Sequence, residues 1–155
     1  MKYKVKVGQE LKANKLIRAF RNLLGLFAWF MPWKGFRVIF HRLRGTKIGK
    51  HVEIGYMVFI DNRFPELVII HDKATITSMC NILGHDLSYR LIDGTEIIGK
   101  TIIEEGAFIG MNSSIMPGVT IGKYSIIAAG SVVTKDTEPY SIYGGVPAKK
   151  IKDIT

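Results

Sequence analysis

An aliphatic side chain returns every sixth residue along most of this chain, and that period most narrows what it can fold into. The positions are Ile48, Ile54 and Ile60, then Ile70, Ile76 and Ile82, then Ile97, Ile103, Ile109, Ile115, Ile121, Ile127 and Val133. Four residues after these stand small or β-branched side chains: Val52, Val58, Ala74, Cys80, Thr101, Ala107, Ser113, Val119, Ser125 and Ser131. A six-residue period fits neither a helix of 3.6 residues per turn nor the two-residue alternation of a half-buried strand. It predicts a mainly β fold, a parallel β-helix in which each hexapeptide supplies one short strand and a turn. Every sixth side chain then points into one internal column, where a wide isoleucine and a small partner fill a narrow prism. Glycine directly after the isoleucine, as at Gly49, Gly55, Gly110 and Gly122, is expected to relieve the turns. Cys80 falls on a small-residue position and reads as core.

Two breaks interrupt the rhythm. Ile60 to Ile70 runs four residues too long, and "NRFPE" within it predicts a corner loop. Ile82 to Ile97 is out of phase, so a loop over about 83–95 leaves the prism, with His85 at its base and Asp86 beside it. The expected organisation is a helical, basic, aromatic segment at 1–46, a β-helix at 47–145 and a basic tail at 146–155.

The net charge of +9 suggests nucleic-acid binding until it is located. Residues 1–44 hold eleven Lys/Arg against Glu10 alone, and the remainder is close to neutral. The basicity therefore belongs to one segment, with no nucleic-acid-binding motif beside it. Residues 9–31 read as a helix with Leu16, Ile17, Phe20, Leu23, Leu24 and Phe27 on one face, ended by Pro32. That face either packs on the domain or lies on a membrane surface, with cations and tryptophans around it. The longest uncharged stretch, "NLLGLFAWFMPW", is too short to span a bilayer, and no cleavage site follows it. One cysteine excludes an internal disulfide and fits a reducing, cytoplasmic setting, with the inner face of the membrane as the other station of the basic segment.

"IEEGAFIGMNSSIMPGVTIGKYSIIAAGSVVTKD" followed by "YGGVPAKKI" resembles the C-terminal coils of hexapeptide-repeat acyltransferases. The likeness is to galactoside and maltose O-acetyltransferases, xenobiotic acetyltransferases and O-acetyltransferases of surface polysaccharides, and it covers about residues 46–152. The resemblance implies a left-handed prism, a homotrimer with active sites between neighbours, and acetyl-CoA as acyl donor. It implies transfer to a sugar hydroxyl in surface-polysaccharide biosynthesis; an amino-sugar N-acetyltransferase or a non-catalytic scaffold are the alternatives. No metal is implied, since His51, His71 and His85 lack the spacing of a shared ion.

In this family the catalytic histidine follows a glycine at the start of an excursion, and Gly84-His85 matches that placement. A hydroxyl is a poor nucleophile until its proton is accepted, and an imidazole suits that role. His41 in the basic segment, and His51 and His71 on solvent-facing repeat positions, compare poorly; Asp86 is a weak candidate for holding the imidazole. The resemblance places CoA along the groove between prisms, at Met111, Ala129 and Thr134-Lys135. It sets Lys149 and Lys152 near the nucleotide phosphates and Phe108 beside the acyl end. The family's acceptor-holding asparagine has no clear counterpart in "IGYMVFIDNRF".

Overall fold

Three strands to a coil, stacked coil on coil, account for most of the chain. The computed structural model describes residues 2–6 and 15–154. A first strand, β1 (Lys2–Lys6), precedes two helices, α1 (Lys15–Phe30) and α2 (Lys34–Leu43). The first coil is β2 (Lys47–Ile48), β3 (Glu53–Ile54) and β4 (Phe59–Ile60); the second is β5 (Val68–Ile70), β6 (Thr75–Ile76) and β7 (Asn81–Ile82). An excursion of β8 (His85–Asp86), α3 (Arg90–Asp93) and β9 (Thr95–Gly99) follows. The third coil is β10 (Thr101–Ile103), β11 (Phe108–Ile109) and β12 (Ser114–Ile115); the fourth is β13 (Thr120–Ile121), β14 (Ile126–Ile127) and β15 (Val132–Val133). A hairpin of β16 (Ser141–Gly145) and β17 (Ala148–Asp153) closes the chain.

Equivalent strands pair in parallel from coil to coil, giving three flat sheets around the column, ordered β13-β10-β5-β2, β17-β16-β14-β11-β6-β3 and β15-β12-β7-β4. The fold is a left-handed parallel β-helix. Isoleucines 54, 60, 70, 76, 82, 103, 109, 115, 121 and 127 are all buried, and so are their small partners from Val58 to Ser131. The serine hydroxyls in the column are satisfied locally: Ser113 Oγ and Ser131 Oγ both donate to the Ala128 carbonyl. Cys80 is buried, with its thiol 3.2 Å from the Gly110 carbonyl, and burial pushes its pKa up.

The glycines work differently from the expectation. The left-handed backbone at the corners is taken mostly by other residues: His51, Met57, Lys73, Met79, Asn112, Tyr124 and Tyr140 have φ of 51–63°. Gly110, directly after its isoleucine, is needed because the next coil lies against it. A Cβ there would stand 2.5 Å from the Ala129 nitrogen.

Ile97 does not belong to the column. It sits in β9 opposite Asp86, half-buried, in an antiparallel hairpin with β8. Its six-residue spacing from Ile103 is fortuitous, and the excursion closes at Gly99, whose N–H donates to the Gly84 carbonyl. β1 adds to the other edge of β9, antiparallel from Lys2↔Gly99 to Lys6↔Thr95. The expected corner loop after Ile60 is a 3-10 turn at Pro65–Leu67, and the basic tail contains strand β17.

The N-terminal segment departs furthest from expectation. Residues 9–14 of the expected helix lie outside the described residues, and α2 was not foreseen. Of the predicted apolar face, only Leu24 packs inward; Ile17, Phe20, Leu23 and Phe27 are exposed. α1 instead lays Leu24, Gly25 and Ala28 on its neighbours. α2 buries Arg37, Val38 and His41 and exposes Phe36, Ile39 and Leu43.

The polar inner face of α2 has a purpose. The first coil has no coil beneath it, so its outward carbonyls need donors. Arg42 Nε donates to the Ile48 carbonyl at 3.2 Å, Arg37 Nε to Ile54 at 2.7 Å and Arg44 Nη2 to Ile60 at 3.1 Å. One arginine thus caps each side of the prism. Arg37 Nη1 also donates to the Met31 carbonyl at the end of α1, and Met57 N–H to the Trp29 carbonyl. Gly25 leaves room for Arg44, whose Cζ would lie 3.3 Å from a Cβ there. His41 Nδ1 rests 3.1 Å from Arg44 Nη1, and burial, reinforced by that guanidinium, lowers its pKa to about 3. His41 is a neutral structural group.

Gly110→Ala is expected to lose about 1–3 kcal/mol, since two packed coils must separate to admit the methyl. An unchanged chemical-denaturation midpoint would overturn the close-approach account.

Candidate functional site

The chain leaves the prism at Gly84, and the departure sets His85 over the corner where Asp61 ends the first coil. Asp61 is fully buried, an expensive place for a carboxylate unless it is densely hydrogen-bonded. Its Oδ1 accepts the Arg63 and Phe64 amides, both at 2.9 Å. Its Oδ2 accepts the Gly84 amide at 2.8 Å, the His85 amide at 3.0 Å and lies 2.6 Å from His85 Nδ1. Burial pushes the Asp61 acid up, but the imidazole and these amides outweigh it and hold its pKa below the ordinary carboxylate value. Gly84 permits the arrangement: a Cβ there would crowd the Leu67 Cβ at 3.2 Å and the Phe64 carbonyl at 3.3 Å.

With Asp61 ionised, the network assigns the proton to Nδ1 and leaves the lone pair on Nε2. Phe64 meets the imidazole edge-on at 5.6 Å, bracing the ring from the side. The histidine opens onto a polar cleft of about 510 Å³ lined by Arg18 and Asn22 of α1, Asn62, Arg63, Leu87 and Arg90. Arg63 is fixed by Glu96, a buried carboxylate whose Oε2 takes Nη1 at 2.7 Å. A base with a fixed tautomer beside a cationic cleft can take a proton from a bound hydroxyl or amine and return it to a leaving group.

Asp61 is the residue that sequence reasoning missed. Its signal was slight: an acid in the slot after the isoleucine, at the last step before a break. Asp86 does something else, accepting the Ser88 amide at 2.8 Å and shaping the loop. His51 and His71 face solvent as expected.

The other sequence-predicted positions do not gather in one place within the chain. Thr134-Lys135 follow β15 at the corner where Leu83 leads into the excursion, and Lys2 Nζ donates to the Thr134 carbonyl at 3.1 Å. Met111 and Ala129 share the preceding corner, where the Gly130 amide donates to the Met111 carbonyl. Phe108 is partly exposed on β11 beside Ile126. Lys149 and Lys152 are exposed on β17, at the far end of the same sheet. Their neighbour Lys150 is held by Glu138 and Asp153, each at 2.7 Å.

The chain is similar to several known proteins. The family model described as bacterial transferase hexapeptide (six repeats) matches residues 100–135. The galactoside O-acetyltransferase of Escherichia coli K12 is 32% identical over 146 residues, covering 92% of this chain and 69% of that protein. A chloramphenicol acetyltransferase of Klebsiella aerogenes is 48% identical over 61 residues, 39% of this chain and 29% of that protein. Among solved structures, a hexapeptide-repeat acetyltransferase of Vibrio cholerae O1 biovar eltor, crystallised with acetyl coenzyme A, superposes with a TM-score of 0.70 at 23% identity. That superposition covers 96% of this chain and 94% of that one. The chain spans between 29% and 59% of the length of the first curated relatives it matches.

Asp61→Asn should keep most of the accepted amides but weaken the hold on the imidazole tautomer. Turnover is expected to fall about 10²–10⁴-fold while the KM for the acyl donor stays put. Parallel losses in both constants would show that Asp61 shapes the donor site instead.

Proposed function

The chain belongs to the hexapeptide-repeat acetyltransferase family, and we propose from that premise that it carries an acetyl group from acetyl-CoA to a sugar hydroxyl. The observation that carries this reading is the Asp61–His85 pair, buried on one side and opening on the other into a polar cleft. His85 Nε2 accepts the hydroxyl proton as the oxygen attacks the thioester carbonyl. The tetrahedral adduct collapses with cleavage of the C–S bond, the imidazolium returns its proton to the departing thiolate, and an acetyl ester and free CoA result. Asp61 stabilises the imidazolium through Nδ1 and is a positioning residue. His85→Ala should fold normally and lose about 10²–10⁴ in turnover; near-normal turnover would remove His85 from the mechanism.

The donor site we infer lies between two prisms of a homotrimer. This reading is supported by the spread of Met111, Ala129, Thr134, Lys135, Lys149 and Lys152 over separate parts of one protomer. Lys149 and Lys152 are exposed on the hairpin that closes the prism and free to take an anionic ligand, whereas Lys150 is engaged by two acids. A lysine–phosphate bond is worth about 1.5–3 kcal/mol. Alanine at Lys149 or Lys152 is therefore expected to weaken CoA by about tenfold or more. If the 3′-phosphate is the partner, dephospho-CoA will be affected less; unchanged CoA binding would return both lysines to the solvated tail.

The acceptor is a sugar of a surface polysaccharide under assembly in the cytoplasm, at the inner face of the membrane. An amino-sugar amine would use the same base. Product chemistry separates the two, because alkaline hydroxylamine cleaves an acetyl ester and leaves an acetamide intact.

A further inference from the structure

The outward faces of α1 and α2 take no part in the proposed chemistry. On α1, Phe20, Leu23, Phe27 and Phe30 follow one another along the side opposite the prism, each 48–66% exposed. On α2, Phe36, Ile39 and Leu43 do the same, because that helix spends its other side on the arginine caps. Phe27 stacks on Phe40 at 5.7 Å, which joins the two faces into one surface, and Trp33 stands exposed at the bend between the helices. Apolar patches of this extent are rare on soluble monomers unless something covers them.

The charge around the patch identifies its cover. Residues 11–52 contain no Asp or Glu. Lys34 and Arg42 are exposed on α2 itself; Glu53 pairs with Lys34 at 3.0 Å and Glu66 with Arg21 of α1 at 3.3 Å, which leaves Arg42 and the other caps as the excess. The arginine caps bond to backbone carbonyls, which carry no formal countercharge, so their positive charge persists in the local field. A second copy docked face to face would bring two surfaces with an excess of cations together, whereas an anionic bilayer complements both the apolar and the charged parts. Among the described residues no helix is long and apolar enough to cross a membrane.

We propose that α1 and α2 lie side by side in the surface of an anionic lipid bilayer, apolar faces inward, as the device that holds the enzyme at the inner membrane face. The proposal rests on that placement but is independent of the acetyl-transfer chemistry. The same α1 lends Arg18 and Asn22 to the His85 cleft. A docked molecule therefore holds its cleft about one helix diameter, roughly 10 Å, from the headgroups. An acceptor anchored in the bilayer would reach it there.

The test is co-sedimentation with vesicles of phosphatidylcholine alone and with about 30% phosphatidylglycerol at low salt. The intact protein should pellet with the anionic vesicles and much less with the neutral ones. Leu23→Glu/Phe30→Glu places two acids on the exposed face and should reduce binding about tenfold or more without changing the melting temperature. Val146→Glu, exposed at the opposite end of the stack, should bind as the parent does. Failure to pellet with anionic vesicles, or equal binding by the double variant, overturns the proposal. So does a change in particle mass of the double variant without lipid, which would make the face a contact between copies. Thiol release from acetyl-CoA, measured without vesicles, reports on the acetyltransferase reading alone and so keeps the two failures apart.

Discussion

Backbone hydrogen bonds in this protein run from coil to coil, so the stack has ends at which carbonyls and amides meet no further strand. Everything at the N-terminal side follows from closing one of them. Three arginines reach the three sides of the first coil, each donating to the carbonyl of a column isoleucine. Delivering them demands a helix whose inner side is largely cationic; α2 and its C-cap Arg44 supply it, with Phe36, Ile39 and Leu43 turned outward. The basic composition of the segment is thus partly a structural device. At the other end, β16 pairs with β14 and then folds back through β17, replacing a further coil by a hairpin.

The geometry of the candidate site grows from the same economy of space. Inside the column every position is filled by isoleucine or a small residue, so no reactive group fits there. Asp61 is buried just outside it, at a corner, where five donors surround its two oxygens. Burial without those donors would neutralise the acid. His85 needs the excursion because the flat sheets offer no concavity, and the antiparallel β8–β9 pair raises one wall of the cleft while α1 raises another.

The column was legible in the sequence because a period of six leaves no rival architecture. The excursion that begins at His85 was legible because it broke that period. Ile97 misled for the same reason: it stands six residues before Ile103, yet its backbone belongs to a hairpin that periodicity does not encode. β1 escaped notice because a short "KYKVK" strand gains its meaning only from β9, far along the chain. α2 was hidden by inverted polarity, since an arginine and a histidine facing the core read as a solvent face. Asp61 was hidden by distance; its partner lies a full coil away, and nothing local to "FIDNRF" announces it.

Because Asp61 closes the first coil and His85 departs from the second, the site measures the thickness of one layer. α1 is tied to the bottom of that layer and the excursion to its top. An additional turn of the prism inserted between them would separate carboxylate from imidazole by about 4.8 Å and lift the hairpin off the helix. Turns added beyond the excursion would move neither. The stack is therefore a ruler with one fixed interval at its base and a free length above, and lineages built on this plan can grow only upward without losing the pair.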